Sequence, residues 1–187
     1  KWLETVMQPG LKRPLDLAME ITRSNPFKIS LSEGADPRVV EAAVKAVNLG
    51  IAKIILIGNS AKIKERLEQY SCSKPDHIEL HDPITSPLKE EFSKSFYNLR
   101  KHKGITRSEA EKQVASNLVY AALLVKHGYA DGTLSGSVET TSNVVKTALW
   151  VIGKATNVNT VSSCFLIFPK TYKPVSYTHL RAHETST

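Results

Sequence analysis

Cysteine is scarce in this sequence, and long apolar runs are absent. Cys72 and Cys164 form no CxxC or histidine-spaced pattern, so the sequence indicates neither a disulfide framework nor a zinc site and is typical of a reducing cytoplasm. The longest uncharged apolar stretch, residues 118–125, is far shorter than the about 20 residues that span a bilayer. Residues 1–4 (KWLE) include neither an initiator Met nor an apolar signal segment. We therefore expect a cytoplasmic protein whose sequence begins within a longer gene.

Glycine and proline are also few, with nine of each among 187 residues. Together with a hydrophobic fraction of 41%, this excludes collagenous, low-complexity and disordered classes and leaves a globular domain with a sizeable core. The net charge of +7, from 25 Lys and Arg against 18 Asp and Glu, indicates an anionic partner. Charge alone does not distinguish a nucleic acid, a membrane surface and a small phosphorylated molecule.

The first half of the chain alternates between strand and helix patterns. A short helix is predicted over residues 14–24, and a strand over Phe27–Leu31. Asp36 is a good N-cap for a helix that ends near Gly50, and residues 54–57 (IILI) form a continuous apolar run. A strand, a helix and a fully apolar second strand are typical of a buried parallel sheet.

The same alternation continues along the rest of the chain. The remaining predicted elements are helices over residues 60–69, 86–104, 106–128 (with a break near 116–117) and 141–153, and strands over residues 77–80, 132–134 and 161–168. The sequence therefore predicts an α/β sandwich with a mostly parallel sheet. Residues 175–187 lack any periodicity and are similar to adapter-derived tails of unrelated sequences, so we exclude them as artefactual; His179 and His183 within them could form only half of a metal site.

Three turns could carry chemistry. Residues 135–142 (SGSVETTS) join a strand to a helix, and their small residues, hydroxyls and helix N-terminus suit phosphate, although Ser and Thr are also ordinary N-caps. Lys146, in the following helix, could add positive charge or be merely solvated. Residues 99–104 (LRKHKG) either complement a helix dipole or form an anion clamp around Arg100. In the turn after the first strand, Glu33 and Arg38 could face a ligand crevice or each other.

These segments resemble the N-terminal half of the phosphate acetyltransferase family, within the phosphate acetyl/butyryl transferases. The matching pieces are SEGADPRVVEAA, GIAKIILIGN, FYNLRKHKGIT, YADGTLSGSVETTSNVVKTAL and VSSCFLI. The resemblance implies a three-layer α/β/α sandwich, isocitrate/isopropylmalate dehydrogenase-like, with two domains and the active site between them. It divides the chain into a lead (1–26), a first α/β domain (27–155), the start of a truncated second domain (156–174) and the tail (175–187).

The resemblance also implies roles for individual residues. It assigns Arg100 to coenzyme A binding, Ser135 and Lys146 to the catalytic site, and the loop facing acetyl phosphate to Ser135, Gly136, Thr140 and Thr141. Lys146 stands where the family has an arginine, and loses its bidentate fork. Glu139 stands where the family commonly has a His and adds a negative charge. Asn143 stands where an Asp is usual and removes a negative charge.

The implied function is exchange of an acetyl group between acetyl-CoA and inorganic phosphate, by attack of the coenzyme A thiolate on acetyl phosphate. The resemblance implies coenzyme A as a substrate, no tightly bound cofactor, no metal, and a homodimer at full length. The catalytic base belongs to the family's later sequence, so we expect this chain alone to be inactive. The alternatives are a non-catalytic acyl-CoA-sensing module of a malic enzyme fusion and a phosphate butyryltransferase. A nucleic-acid-binding protein is suggested only by the charge.

Overall fold

The computed structural model describes residues 14–158, 160 and 161. The chain divides into two units, residues 1–154 and 155–187, and every helix and strand described here belongs to the first. In the second unit the Val158 N–H donates to the Ala155 carbonyl oxygen, 3.1 Å away. The strand predicted over residues 161–168 lies outside the described residues apart from its first position, as do His179, His183 and Cys164.

Helices and strands alternate along the first unit as the sequence predicts. The α-helices are α1 (Pro14–Ser24), α2 (Pro37–Asn48), α3 (Ser60–Leu67), α4 (Lys89–Arg100), α5 (Arg107–Val114), α6 (Asn117–Lys126) and α7 (Thr141–Val151). The strands are β1 (Phe27–Leu31), β2 (Ala52–Ile57), β3 (Ile78–His81) and β4 (Gly132–Leu134), and short 3₁₀ turns cover Pro75–His77 and Lys101–Lys103. The predicted α/β class is confirmed.

The strands of the described residues form one sheet with the order β3-β2-β1-β4. Every neighbouring pair is parallel. The order runs outward from β1 through β2 to β3 and then returns to place β4 on the other side of β1. The direction of winding therefore reverses between β1 and β4, and in open α/β sheets ligands bind at such a reversal, outside the carboxyl ends of the strands.

Helices cover both faces of this sheet, and strand β2 is therefore buried on both sides. Successive side chains of a strand point to opposite faces. Ile54 and Leu56 pack in a core with α2 and α3, whereas Ile55 and Ile57 pack in a second core with α4 to α7. Burial of each such side chain contributes about 2 kcal/mol. The result is the three-layer α/β/α sandwich that the family resemblance implied.

Local sequence signals set several boundaries as predicted. The Asp36 carboxylate caps α2 by accepting the Arg38 N–H, and Thr106 with Glu109 forms the predicted capping box of α5. The helix predicted over residues 106–128 is broken into α5 and α6, also as predicted. Helix α4 begins three residues later than predicted, because the Ser86 hydroxyl accepts the Leu88 N–H and makes a turn instead.

Candidate functional site

The turn after β1 and the loop after β4 meet where the sheet order reverses. Leu31 pairs with Leu134 at the carboxyl ends of these two neighbouring strands, so the next residues of both strands emerge at the same edge. The Ser32 hydroxyl donates to the Ser135 hydroxyl oxygen, 2.8 Å away. Ser32 is fully buried. The sequence-predicted loop therefore lies at the position where α/β sheets bind ligands.

One carboxylate, Glu33, binds the backbone of this loop, which we call the Ser135 loop (residues 135–140). The N–H groups of four consecutive loop residues donate to its two oxygens: Gly136 (3.2 and 3.3 Å), Ser137 (2.8 Å), Val138 (2.8 Å) and Glu139 (2.7 Å). The sequence predicts that these amides bind an anion. The anion that they bind in this structure is a side chain of the same unit, and the sequence analysis missed this role of Glu33.

These hydrogen bonds also set the ionisation of Glu33. Desolvation at its half-buried position raises the pKa of the carboxyl group, but the four backbone N–H donors outweigh it and hold the pKa below its ordinary value. A carboxylate that accepts several N–H bonds is stabilised in its charged form. Glu33 is therefore an anion at neutral pH, and the bound amides of the Ser135 loop are already satisfied.

Arg38 completes the contact between turn and loop. Its guanidinium donates twice to the Asp36 carboxylate, at 2.7 and 3.0 Å, and once to the Ser137 carbonyl oxygen at 3.1 Å. The hydrogen bonds from the Arg38 side chain and backbone lower the pKa of Asp36 to about 2. The sequence left open whether Glu33 and Arg38 face a ligand crevice or each other, and the structure shows that each of them binds the loop.

Hydroxyl groups stay accessible on the same loop and at the first residue of α7. Ser135 is half-buried, whereas Gly136, Thr140 and Thr141 are exposed. The Thr140 Oγ1 caps α7 by accepting the Asn143 N–H at 3.3 Å, which leaves its own O–H free to donate. The unexpected carboxylate of Glu139 accepts a hydrogen bond from the Asn143 side-chain amide at 3.1 Å. Two of the three departures from the family pattern, Glu139 and Asn143, thus pair with each other.

Arg100 and Lys146, assigned from sequence to separate candidate sites, meet at one aromatic ring. The Arg100 guanidinium carbon lies 4.6 Å from the ring centroid of Trp150, and the Lys146 Nζ lies 4.4 Å from it. We call these three residues the Trp150 cluster. Arg100 ends α4, and the other two side chains are four residues apart on α7, a spacing that places them on one face. Trp150 was not predicted as a site residue, although its spacing of four residues from Lys146 could have indicated the contact.

Comparison with known proteins identifies the family. The family described as phosphate acetyl/butaryl transferase matches residues 15–180. The phosphate acetyltransferases of Thermoanaerobacterium thermosaccharolyticum and Clostridium acetobutylicum are each 36% identical to this chain, over 149 and 148 residues. The chain belongs to the phosphate acetyl/butaryl transferase family. The resemblance predicted from the sequence is confirmed.

Solved structures of family members have the same fold. The EutD phosphotransacetylase from Staphylococcus aureus superposes with a TM-score of 0.69 at 30% identity, and a phosphotransacetylase from Streptococcus pyogenes with 0.71 at 27% identity. Each match covers 78% of this chain and 44% of the other. The matches to the two phosphate acetyltransferases cover 80% and 79% of this chain, and each covers 44% of the relative. The chain thus spans less than half the length of these family members.

The parts of the candidate site differ in how they contact each other. The Ser135 loop is joined to the turn after β1 by hydrogen bonds, as described above. Within residues 14–158, no hydrogen bond or ion pair joins the Ser135 loop to the Trp150 cluster, and no carboxylate oxygen lies within 4.0 Å of the Arg100 or Lys146 nitrogens.

The described helices include none with the length and apolar character of a membrane span. The same part of the chain holds no metal-ligand cluster of His, Cys, Asp or Glu.

Proposed function

We propose that the protein containing this chain transfers an acetyl group between coenzyme A and phosphate, and that the candidate site supplies its anion-binding part. Family membership gives the reaction class. The observation that carries the proposal is the position of the Ser135 loop, whose hydroxyls lie at the carboxyl ends of β1 and β4, where the sheet order reverses. The loop leads into α7, which carries Lys146, and Lys146 and Arg100 of α4 are two cations without described carboxylate partners.

In the proposed reaction, the thiolate sulfur of coenzyme A attacks the carbonyl carbon of acetyl phosphate. A carbon–sulfur bond forms, and the bond between the carbonyl carbon and the oxygen that bridges to phosphorus breaks. Inorganic phosphate leaves with the electron pair of that bond. The hydroxyls of Ser135, Thr140 and Thr141 would donate to the phosphoryl oxygens, with close approach of the substrate at Gly136. Such donors stabilise the charge that develops in the transition state. We propose Ser135 and Lys146 as the residues nearest this charge.

Arg100 has a different role in the proposal, as the residue that binds coenzyme A. Its planar fork of N–H donors fits a phosphate group in a bidentate manner. The proton of the coenzyme A thiol must pass to a base, and we assign none of the described residues to that step. We therefore expect no acetyl transfer from the 187-residue chain alone. We propose the domain limits given above, the cytoplasmic location and the homodimer on the same family basis.

The test compares the 187-residue chain with a version extended by the gene's downstream sequence to the length of the relatives. We expect acetyl-CoA to form from coenzyme A and acetyl phosphate only with the extended enzyme. In that enzyme, Arg100→Ala should raise the KM for coenzyme A at least about tenfold, the cost of a lost charged hydrogen bond. Arg107→Ala is the matched control, because Arg107 also lies over an aromatic ring, that of Tyr97 at 5.6 Å, outside the candidate site. Full activity and an unchanged KM in Arg100→Ala would contradict the assigned role.

The alternative function is an acyl-CoA-sensing module without turnover. The negative charge of Glu139 in the Ser135 loop favours it, since a carboxylate there opposes an anionic substrate. An extended protein that binds coenzyme A but forms no acetyl-CoA, with a malic enzyme domain encoded upstream, would support this alternative. If turnover is present, comparing acetyl with butyryl phosphate as substrates separates an acetyltransferase from a butyryltransferase.

A further inference from the structure

The ring of Trp150 contacts two cations that have no described acidic partner. We propose that Trp150 is a positioning residue, which holds Arg100 and Lys146 together as a single binding pair for a phosphate group of the substrate. This role rests on the proposed function and adds to it a residue for which no role was predicted from the sequence. Its basis is the geometry of the Trp150 cluster.

The ring is itself held in place by the core. Trp150 is half-buried and packs against the second core, between the sheet and the helices α4 to α7. Lys146 is exposed and Arg100 is half-buried, and both have long side chains with many rotamers. An aromatic face attracts a cation placed within about 6 Å of its centre. A ring fixed by packing therefore restricts both side chains to the same small region.

This arrangement favours an anion between or beside the two cations. Like charges that lie near each other repel, and no described carboxylate within 4.0 Å compensates either of them. A phosphate group carries up to two negative charges and accepts hydrogen bonds on several oxygens. Stacking on the ring occupies the face of a guanidinium but leaves its N–H edge free to donate. The pair is therefore suited to a phosphate group, which either coenzyme A or acetyl phosphate could provide.

The experiment measures steady-state kinetics of the extended enzyme with Trp150→Leu and Trp150→Phe. Loss of the ring should raise the KM for the substrate whose phosphate binds the pair about threefold to tenfold, in the range expected for cation–π contacts. A rise for coenzyme A or for acetyl phosphate identifies the source of the phosphate. Trp150→Phe keeps an aromatic face and should recover most of the loss. An unchanged KM for both substrates in Trp150→Leu would overturn the proposal.

Two controls separate positioning from a structural role. Leu149→Ala removes a neighbouring exposed side chain of α7 and should leave both KM values unchanged. In an Arg100→Ala, Lys146→Ala background, Trp150→Leu should have no further effect on KM, because the residues that Trp150 positions are gone. The same rise in KM in that background would mean that the ring acts through the fold, and would refute the positioning role.

A ligand-free measurement keeps this test distinct from that of the proposed function. In NMR spectra of the 187-residue chain, the side-chain CH₂ protons of Arg100 and Lys146 should be shifted upfield by the Trp150 ring current, and should return to ordinary values in Trp150→Leu. Ordinary shifts in the unsubstituted chain would overturn the pairing, whatever the enzyme does. An extended enzyme without acetyl transfer would instead contradict the proposed function, even with the ring-current shifts present.

Discussion

The two ends of helix α7 differ in how their charges are compensated. At its N-terminal end, the backbone N–H groups of the Ser135 loop bind the Glu33 carboxylate of the same unit. Further along the helix, Lys146 shares an aromatic ring with Arg100, and neither has a described carboxylate partner. The backbone amides of the loop are thus neutralised by a carboxylate of the same unit, whereas the Trp150 cluster has positive charge that no described carboxylate compensates and that we propose binds a ligand.

The reason for this difference lies in the elements that carry each part. Glu33 follows β1 and the Ser135 loop follows β4, two strands paired side by side, so the pairing of the strands by itself brings both partners together. Arg100 and Lys146 have long side chains with many rotamers, and fixing each one costs up to about 2 kcal/mol of side-chain entropy. Substitutions at the loop contact should therefore reduce the stability of the fold, and substitutions in the Trp150 cluster should reduce ligand binding instead.

The largest effect is expected at Gly34, which follows Glu33 in the turn. A Cβ atom at this buried position would lie 2.8 Å from both the backbone N and the backbone O of Ile57. The Gly34 N–H donates to that same oxygen at 3.0 Å, so the turn cannot move away without losing this bond. Gly34→Ala should lower the free energy of unfolding by about 3 kcal/mol, the range of an overpacked core, as measured by urea denaturation.

Gly50→Ala is the matched control for this substitution. Gly50 has a φ of +70°, but a Cβ there would meet nothing within 4 Å, so only the backbone strain of a left-handed residue remains, about 1 kcal/mol. A cost at Gly34 no greater than that at Gly50 would show that the turn adapts easily. The Glu33 contact would then not depend on a fixed backbone.

A smaller loss of stability is expected when the Glu33 carboxylate is removed. Glu33→Ala leaves four loop N–H groups without their acceptor and should cost about 2 kcal/mol, as for hydrogen bonds to a charged group. Glu33→Gln keeps the shape and one acceptor oxygen and should cost less. Glu41→Gln is the control, since Glu41 forms an exposed ion pair with Lys45, and such pairs contribute at most about 1 kcal/mol. Equal losses at Glu33 and Glu41 would contradict the scaffold role of the loop contact.

The same contact predicts a pH dependence with a definite sign. Because the pKa of Glu33 is lower in the folded chain than its ordinary value, its contribution to stability is complete above the unfolded pKa and is lost as the pH falls through the folded pKa. The stability difference between the unsubstituted chain and Glu33→Gln should therefore shrink in acid. Asp36 titrates in the same direction, with a pKa of about 2, but it is present in both proteins and cancels in the comparison.

Local sequence signals predicted the elements better than the contacts of the site. The strand Phe27–Leu31 and the helix Pro14–Ser24 have the predicted bounds, because turn residues and Pro end them locally. Strand β2 begins at Ala52, two residues earlier than predicted, since Ala52 and Lys53 pair with β1. Pairing with a neighbouring strand extends a strand beyond its apolar run, and this extension cannot be predicted from the local sequence pattern.

The site was predicted as a set of segments, but not as a set of contacts. The sequence identified the Ser135 loop, Arg100 and Lys146 by composition and family resemblance. It did not predict that Glu33 would bind loop amides 103 to 106 residues away, because this depends on β4 pairing with β1. Nor did it predict that Trp150 contacts two cations, because that requires α4 and α7 to pack together. Contacts between segments distant in sequence depend on the topology of the sheet.

The smallest effect on stability is expected from Lys146→Ala in the Trp150 cluster. The substitution removes one cation–π contact, about 0.5 to 1 kcal/mol at an exposed site, and at the same time removes repulsion from Arg100. Alanine also has the higher helix propensity. These terms oppose each other, so the free energy of unfolding should change by less than about 0.5 kcal/mol under the urea conditions used for Glu33→Ala. A loss as large as that of Glu33→Ala would mean that the cluster is a structural contact, and the contrast between the two ends of α7 would disappear. If the Trp150 cluster is a binding surface, Lys146→Ala should change the free energy of unfolding only slightly and should weaken substrate binding.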